Sequence, residues 1–181
     1  WERANWFAPE GEEQVDHWSF RRSSYHKHIS EEIKNLSKNV GLLDLSGFAK
    51  CKISGPSAES FLNYLVANKL PKTVGRVSLC HALNAMGGVH SEFTITREKD
   101  NSFYLVSAGG FQRLDHDWIM KHIPSDGSIT FEDITNSVGV LVIAGPKSRE
   151  LMKLVSNNDF NNEAFPWLTA QNVNIGNCPA L

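Results

Sequence analysis

Hydrophobic residues recur along the chain with a period that changes from one segment to the next. In the first periodic segment they fall three or four positions apart, at Tyr25, Ile29, Ile33 and Leu36. That spacing predicts an amphipathic helix with these side chains on its inner face. Ser23 or Ser24 suits the N-cap of this helix, and Gly41 suits its C-terminal end.

The middle of the chain alternates between apolar and polar residues, as half-buried strands do. The candidate strands are 77–84, 89–97, 103–107 and 129–134. The first two are joined by residues 85–88, whose two glycines permit positive φ angles, so a hairpin is predicted there. A helix is predicted at about 111–122, with Leu114, Trp118 and Ile119 on its inner side.

One pattern occurs twice. In each copy a short apolar strand leads to a Gly-Pro turn and then to an amphipathic helix. The copies span 51–65 and 140–155, and their turns begin at Gly55 and Gly145, ninety positions apart. Pro suits the start of a helix because its missing N–H would have no partner there. The repeat predicts two related halves of one fold.

Composition narrows the class of protein. The chain has 181 residues, of which 41% are hydrophobic, and a net charge of -2. These values predict a globular chain with one core and give no reason to expect a nucleic acid or a membrane as partner. Helices recur among the strands without strict alternation, which indicates an α+β fold with antiparallel or mixed sheets. Three widely spaced cysteines favour a reducing compartment.

Residues 1–22 differ from the rest because they are rich in aromatic side chains but have no periodicity. They are expected to form an extended arm that docks on this chain or on a preceding domain. Residues 23–181 are expected to form the domain itself. Because the first residue is Trp1 rather than Met, the chain is expected to be a fragment of a longer protein.

The strand at 89–97 carries the best candidate for chemistry. Its period of two puts His90, Glu92, Thr94 and Thr96 on one face, beside the Gly-Gly turn. Such a face can hold a polar heterocycle, because Glu92 accepts hydrogen bonds from N–H groups while Thr94 both donates and accepts. A solvent-facing polar stripe would show the same spacing, and spacing alone favours that interpretation.

Other groupings have weaker claims. Residues 26–28 and 115–117 each contain ligand-type side chains two positions apart, but such residues do not face each other on a helix. Both groups are therefore predicted to be solvated surface, and no metal is expected. Cys80 and His81 lie on opposite strand faces, so Cys80 is predicted to be a buried apolar residue rather than a nucleophile.

Several segments resemble a known family. Residues 40–46, 53–58 and 83–88, in that order, are similar to the folate-binding aminomethyltransferase superfamily of the glycine cleavage T-protein. Further segments are most similar to the C-terminal, folate-binding part of dimethylglycine and sarcosine dehydrogenases: 1–7, 91–97, 104–108 and 164–168. The resemblance implies that residues 1–22 follow an absent flavin domain and that residues 23–181 form an aminomethyltransferase-like folate domain, truncated at its C-terminal side.

The same resemblance implies a site. The T-protein places an essential aspartate after its Gly-Gly turn, against the pteridine of tetrahydrofolate, and Glu92 stands at that position here. Phe93 and Thr94 would complete the strand segment that lines the folate. Glu92 would orient the pterin and take part in proton transfer. Two positions depart from the T-protein pattern, since Leu79 replaces a Tyr and Ser107 replaces an Asn.

The implied activity is transfer of a one-carbon unit from an oxidised N-methylglycine to tetrahydrofolate, which gives methylenetetrahydrofolate. FAD would lie on the absent flavin domain of the same parent chain, and the small-molecule partner would be a methylated amine. Two alternatives stay open: a non-catalytic folate-binding or scaffold module, and a folate-dependent enzyme for another methylated compound. The expected location is the cytoplasm, with the mitochondrial matrix as the alternative.

Overall fold

The computed structural model describes residues 4–181. The helices are α1 (His26–Lys38), α2 (Ala58–Leu65), α3 (Gln112–His122) and α4 (Ser148–Val155). The strands are β1 (Gly41–Asp44), β2 (Ala49–Ser54), β3 (Val77–Leu83), β4 (Val89–Lys99), β5 (Ser102–Ser107), β6 (Thr130–Asp133), β7 (Leu141–Ala144), β8 (Val173–Ile175) and β9 (Cys178–Ala180).

Strands form one large sheet and two small ones. The large sheet has the order β3-β4-β5-β2-β6, β1 pairs with β7, and β8 pairs with β9. Every strand pair that the structure describes is antiparallel. The predicted α+β fold is confirmed, as is the hairpin of β3 and β4.

The core lies between the five-stranded sheet and two helices. Side chains of α2 and α3 meet the apolar face of the sheet, and the largest of these buried residues are Phe93, Phe103, Ile53, Leu62, Ile95, Leu105 and Ile119. The predicted inner side of α3 is correct at Ile119 and Trp118 but wrong at Leu114, which is exposed. Asp115 is buried instead, because it lies four residues before Ile119 on the same helix face.

The repeated strand–turn–helix unit has the same backbone in both copies. Gly55 and Gly145 have φ angles of 123° and 122°, a region that L side chains rarely adopt. In each copy the carbonyl of that glycine accepts a hydrogen bond from the N–H three residues later, at Ala58 and at Ser148. The local repeat is therefore confirmed, although β2 lies inside the large sheet and β7 pairs only with β1.

Helix α1 departs from its predicted bounds. It begins at His26 with no side-chain cap in the described part of the chain, because the Ser24 hydroxyl donates to the Val15 carbonyl instead. It ends at Lys38, and Gly41 starts β1 rather than closing the helix. The predicted inner face is also wrong at Ile33 and Leu36, which are both exposed.

The aromatic arm contacts α1 over part of its length. The ring of Trp6 lies 5.7 Å from that of Tyr25 and 5.9 Å from that of His28. The side chains of Trp18 and Phe20 are exposed. Docking of the arm on this chain is thus seen at Trp6, whereas the predicted contribution of Trp1 lies outside the described residues.

Candidate functional site

The turn between β3 and β4 is held by one side chain. The Asn84 carboxamide oxygen accepts hydrogen bonds from the main-chain N–H groups of Met86 and Gly88, both at 3.0 Å. Gly87 has a φ angle of 79°, which glycine adopts without strain. The turn therefore fixes where β4 starts, and with it the position of Glu92.

An irregularity follows this turn. Ala82 pairs with Ser91 and Leu83 pairs with Val89, so His90 is one extra residue on β4, a β-bulge. The His90 ring stacks on Trp118 of α3 at 3.9 Å between ring centroids. The bulge therefore interrupts the predicted alternation at His90, which contacts the helix layer and also lines a cavity together with Glu92 and Thr94.

A cavity opens where β5 ends. The pairing of β4 with β5 stops at Thr94 and Val106, so the first residues of β4 extend beyond β5. Next to them is a cavity of about 470 Å³. Its polar lining includes Ser91, Glu92, Thr94, Ser107 and Asp115, and its aromatic lining is Phe48 and Phe111.

A buried lysine fixes one wall of this cavity. The Lys50 ammonium donates to the carbonyl oxygens of Ser46 at 2.6 Å and Phe48 at 2.9 Å. Burial lowers the pKa of Lys50, and the carboxylates of Asp133 and Asp44 act in the opposite direction. Because its donors hold the turn before β2, this lysine positions the Phe48 side chain.

Close backbone contact fixes the part of the wall that adjoins Phe48. A Cβ atom at Gly109 would collide with the carbonyl of Gly47, so only glycine allows the connection between β5 and α3 to lie against the turn before β2. This connection is a short 3-10 turn, Gly109–Phe111, which leads directly into α3. Phe111 is the last residue of this turn and forms part of the cavity wall.

Glu92 reaches the cavity from the exposed face of β4 and contacts His81 of β3. The His81 Nε2 atom lies 3.0 Å from a Glu92 carboxylate oxygen. The Asn68 Oδ1 atom accepts the main-chain N–H of His81 and lies 3.2 Å from its Nδ1 atom, so Nδ1 carries a proton.

The other two predicted site residues are separated. Thr94 lines the cavity on the same side as Glu92. The Phe93 side chain points the other way, into the core, where it is fully buried. Its predicted role in lining the folate stays a prediction, and the structure gives the ring a packing role beneath the strand.

Asp115 is the site residue that the sequence prediction missed. It was predicted to be solvated surface, which is wrong, because only 5% of the residue is exposed. Its Oδ1 atom is buried and has no hydrogen-bond partner among the described residues. A buried acceptor in that state costs about 1–3 kcal/mol. The signal that could have found it is its spacing of three and four residues from Trp118 and Ile119.

The GCVT N-terminal domain family matches residues 1–181. The chain belongs to this family. It is 32% identical to dimethylglycine dehydrogenase, mitochondrial, from Mus musculus, over 99% of this chain but only 21% of that protein. The chain thus spans about a fifth of the length of this relative.

Two solved structures have the same fold as this member of the GCVT N-terminal domain family. Glycine cleavage system aminomethyltransferase T from Bartonella henselae matches with a TM-score of 0.64 and 21% identity, over 69% of this chain and 34% of that one. Heterotetrameric sarcosine oxidase from Corynebacterium sp. U-96 matches with a TM-score of 0.61 and 16% identity, over 89% and 80% of the two chains. The predicted resemblance and its fold class are confirmed.

Two thiols of this family member, those of Cys51 and Cys80, are poor nucleophiles. Burial, with smaller effects of the Asp133 and Asp115 charges, raises the pKa of Cys51 to about 12. Burial also raises the pKa of Cys80 to about 11, and Cys80 is fully buried as predicted. Since the thiolate is the reactive form, neither residue suits covalent catalysis near neutral pH.

Within residues 4–181, no group of three or more His, Cys, Asp or Glu side chains is arranged to hold a metal ion. The described helices include none long and apolar enough to cross a bilayer.

The donor and acceptor set of the cavity fits a pterin ring. The aminopyrimidine edge of a pterin carries N–H groups, and Glu92 and Thr94 offer acceptors on one wall. Phe48 and Phe111 supply aromatic surface against which a flat heterocycle can lie. The cavity volume falls in the range usual for small-molecule sites. The residues present therefore suit tetrahydrofolate.

Proposed function

We propose that this chain is the folate-binding domain of an enzyme like dimethylglycine or sarcosine dehydrogenase. In the proposed reaction a one-carbon unit passes from an oxidised methylated amine to tetrahydrofolate and gives methylenetetrahydrofolate. Membership of the GCVT N-terminal domain family supports a folate-dependent, aminomethyltransferase-like role. The observation that carries the proposal is the cavity of about 470 Å³ with Glu92 and Thr94 on one wall and aromatic rings on others.

In this proposal Glu92 binds and orients the pterin through its carboxylate. Thr94, two residues along the same strand, adds a hydroxyl that can donate or accept. His81 holds the Glu92 side chain at 3.0 Å and can exchange a proton with it. Tetrahydrofolate, when bound, supplies the nitrogen nucleophiles that accept the one-carbon unit.

The proposal extends to the parent protein. An FAD-containing domain of the same chain would oxidise the methylated amine, as the similarity to dimethylglycine dehydrogenase suggests. The name of this mouse relative assigns it to mitochondria, so both the mitochondrial matrix and the cytoplasm remain proposed locations. Measuring the flavin content of the purified parent protein tests whether that protein contains an FAD-binding domain.

The test is tetrahydrofolate binding by the parent protein and by its Glu92→Gln variant. We expect the variant to bind at least tenfold more weakly, because a hydrogen bond to a charged group contributes about 1.5–3 kcal/mol. The matched control is Glu132→Gln. Glu132 is an exposed carboxylate on β6, at the far edge of the same sheet, and it does not line the cavity.

Three outcomes separate the alternatives. No tetrahydrofolate binding by the parent protein would overturn the proposed function. Binding without any acceleration of methylenetetrahydrofolate formation would favour the non-catalytic, folate-binding module. Equal binding by the Glu92→Gln and Glu132→Gln variants would remove Glu92 from the site while leaving the folate proposal in place.

A further inference from the structure

We infer that Asp115 is a second ligand-binding carboxylate, which accepts a hydrogen bond from an N–H donor of the molecule held in the large cavity. This inference rests on the proposed function and identifies a residue on a different element from Glu92. Asp115 lies in α3 and lines the same cavity as the β4 segment that carries Glu92. Only 5% of Asp115 is exposed, and its Oδ1 atom has no hydrogen-bond partner among the described residues.

Asp115 lies between two cavities. It lines the large cavity, and it also lines a small one of about 20 Å³, which has room for about one water molecule. The small cavity is also lined by Lys50, Gln112 and Thr135, three side chains that carry hydrogen-bond donors.

Each of those donors is engaged elsewhere. The Lys50 ammonium donates to two carbonyl oxygens in the turn before β2. The Gln112 amide donates to the Asp133 carboxylate at 3.0 Å, and the Thr135 hydroxyl donates to the Lys50 carbonyl at 3.2 Å. The fold thus keeps a carboxylate buried at the cavity, while Lys50, Gln112 and Thr135 donate to other acceptors.

A buried carboxylate without a hydrogen-bond partner lowers the stability of the folded protein unless a ligand binds it. Buried polar groups are nearly always paired, and the exceptions cluster at functional sites. With Glu92 the cavity has two carboxylates, which disfavours an anionic group in its interior and favours a ligand rich in N–H donors. A reduced pterin ring is such a ligand.

The test compares Asp115→Asn with Asp117→Asn in the full parent protein. Asp117 is two residues along the same helix, exposed, and absent from the lining of both cavities. We expect Asp115→Asn to bind tetrahydrofolate at least tenfold more weakly, because the amide cannot replace a charged acceptor. Its melting temperature without ligand should not fall, because the buried Oδ1 atom has no hydrogen bond to lose among the described residues. Asp117→Asn should match the wild type in both measurements.

The opposite results would overturn the inference. Equal tetrahydrofolate affinity for the two variants would show that Asp115 does not bind the ligand. A lower melting temperature with unchanged affinity would assign Asp115 a purely structural role. If Asp115→Asn does not fold, Asp115→Ser gives the same readouts. Failure of the wild-type parent to bind tetrahydrofolate would instead count against the proposed function, so the two failures are distinct.

Discussion

The two strand–turn–helix units have the same backbone conformation at their turns, but their helices differ in how deeply they are buried. Helix α2 of the first unit buries Ala58, Phe61, Leu62 and Leu65. Helix α4 of the second unit has no buried residue among those described, and 84% of its Leu154 is exposed. The turn and the start of each helix are nevertheless held by equivalent hydrogen bonds, ninety residues apart.

The difference shows what local sequence decides and what it leaves to the rest of the fold. A Gly-Pro turn with an amphipathic helix specifies the unit, because glycine permits the positive φ angle and the helix follows. Burial depends on the layer that the helix meets. Strand β2 has neighbours on both sides, whereas β1 and β7 form a two-stranded sheet, and such a sheet provides little apolar surface.

The largest expected difference between the units is at their helix centres. Leu62→Ala removes a fully buried side chain and should lower the free energy of unfolding by about 2–5 kcal/mol. Met152→Ala changes the equivalent position of α4, which is partly exposed, and should cost about 1 kcal/mol or less. Urea unfolding of the chain measures both values. Equal losses would mean that the helices contribute alike to stability and that the comparison is wrong.

A smaller effect should be shared by both units. Alanine at Gly55 would need a φ angle of 123° and would press its Cβ atom against the carbonyl of Ser128. Alanine at Gly145 would meet the carbonyl of Asn39 in the same conformation. Each substitution should lower the free energy of unfolding by about 1–3 kcal/mol. Urea unfolding checks this, and a tolerated Gly145→Ala would indicate that the second turn relaxes where the first cannot.

The smallest effect concerns acid stability, and it should also be similar near both units. Hydrogen bonding to Ser46 lowers the pKa of Asp44, and hydrogen bonding to Ser128 lowers the pKa of Asp126. A carboxyl whose pKa is lower in the folded chain stabilises it above the ordinary aspartate pKa and loses that contribution as pH falls through the folded value.

Asp44→Asn and Asp126→Asn should therefore flatten, slightly, the decline of stability below about pH 4. Thermal unfolding measured from pH 7 to pH 3 checks the sign. Both carboxyls are solvent-exposed, so a large change at either position would point to a structural role beyond its turn. A steeper decline in the variants would contradict the expected direction.

Periodic segments were predictable from sequence, and irregular ones were not. The strands β2 to β6 and the helices α2 and α3 follow their hydrophobic periods to within a few residues. Strand β1 was missed because Gly41 was interpreted as a helix end. Pairing of β1 with the distant β7 decides its structure, and no local pattern carries that information.

The site was predictable only along its strand. Glu92 and Thr94 were found because a period of two exposes them together. His90 departs from that period through a one-residue bulge, which depends on the register with β3. Asp115 was assigned to the surface because its neighbours are polar, although it lies four residues before Ile119 and so on the same helix face. A polar residue on the buried face of a helix contradicts the simple hydrophobic pattern, and such contradictions are expected at functional sites.

The pairing of β1 with β7 also affects how the chain folds. Gly41 lies opposite Ala144, so this sheet forms only after roughly a hundred intervening residues have been brought into place. The hairpin of β3 and β4 needs only a five-residue connection, 84–88. We therefore expect main-chain amides of β3 and β4 to gain protection early during refolding and those of β1 and β7 to gain it late.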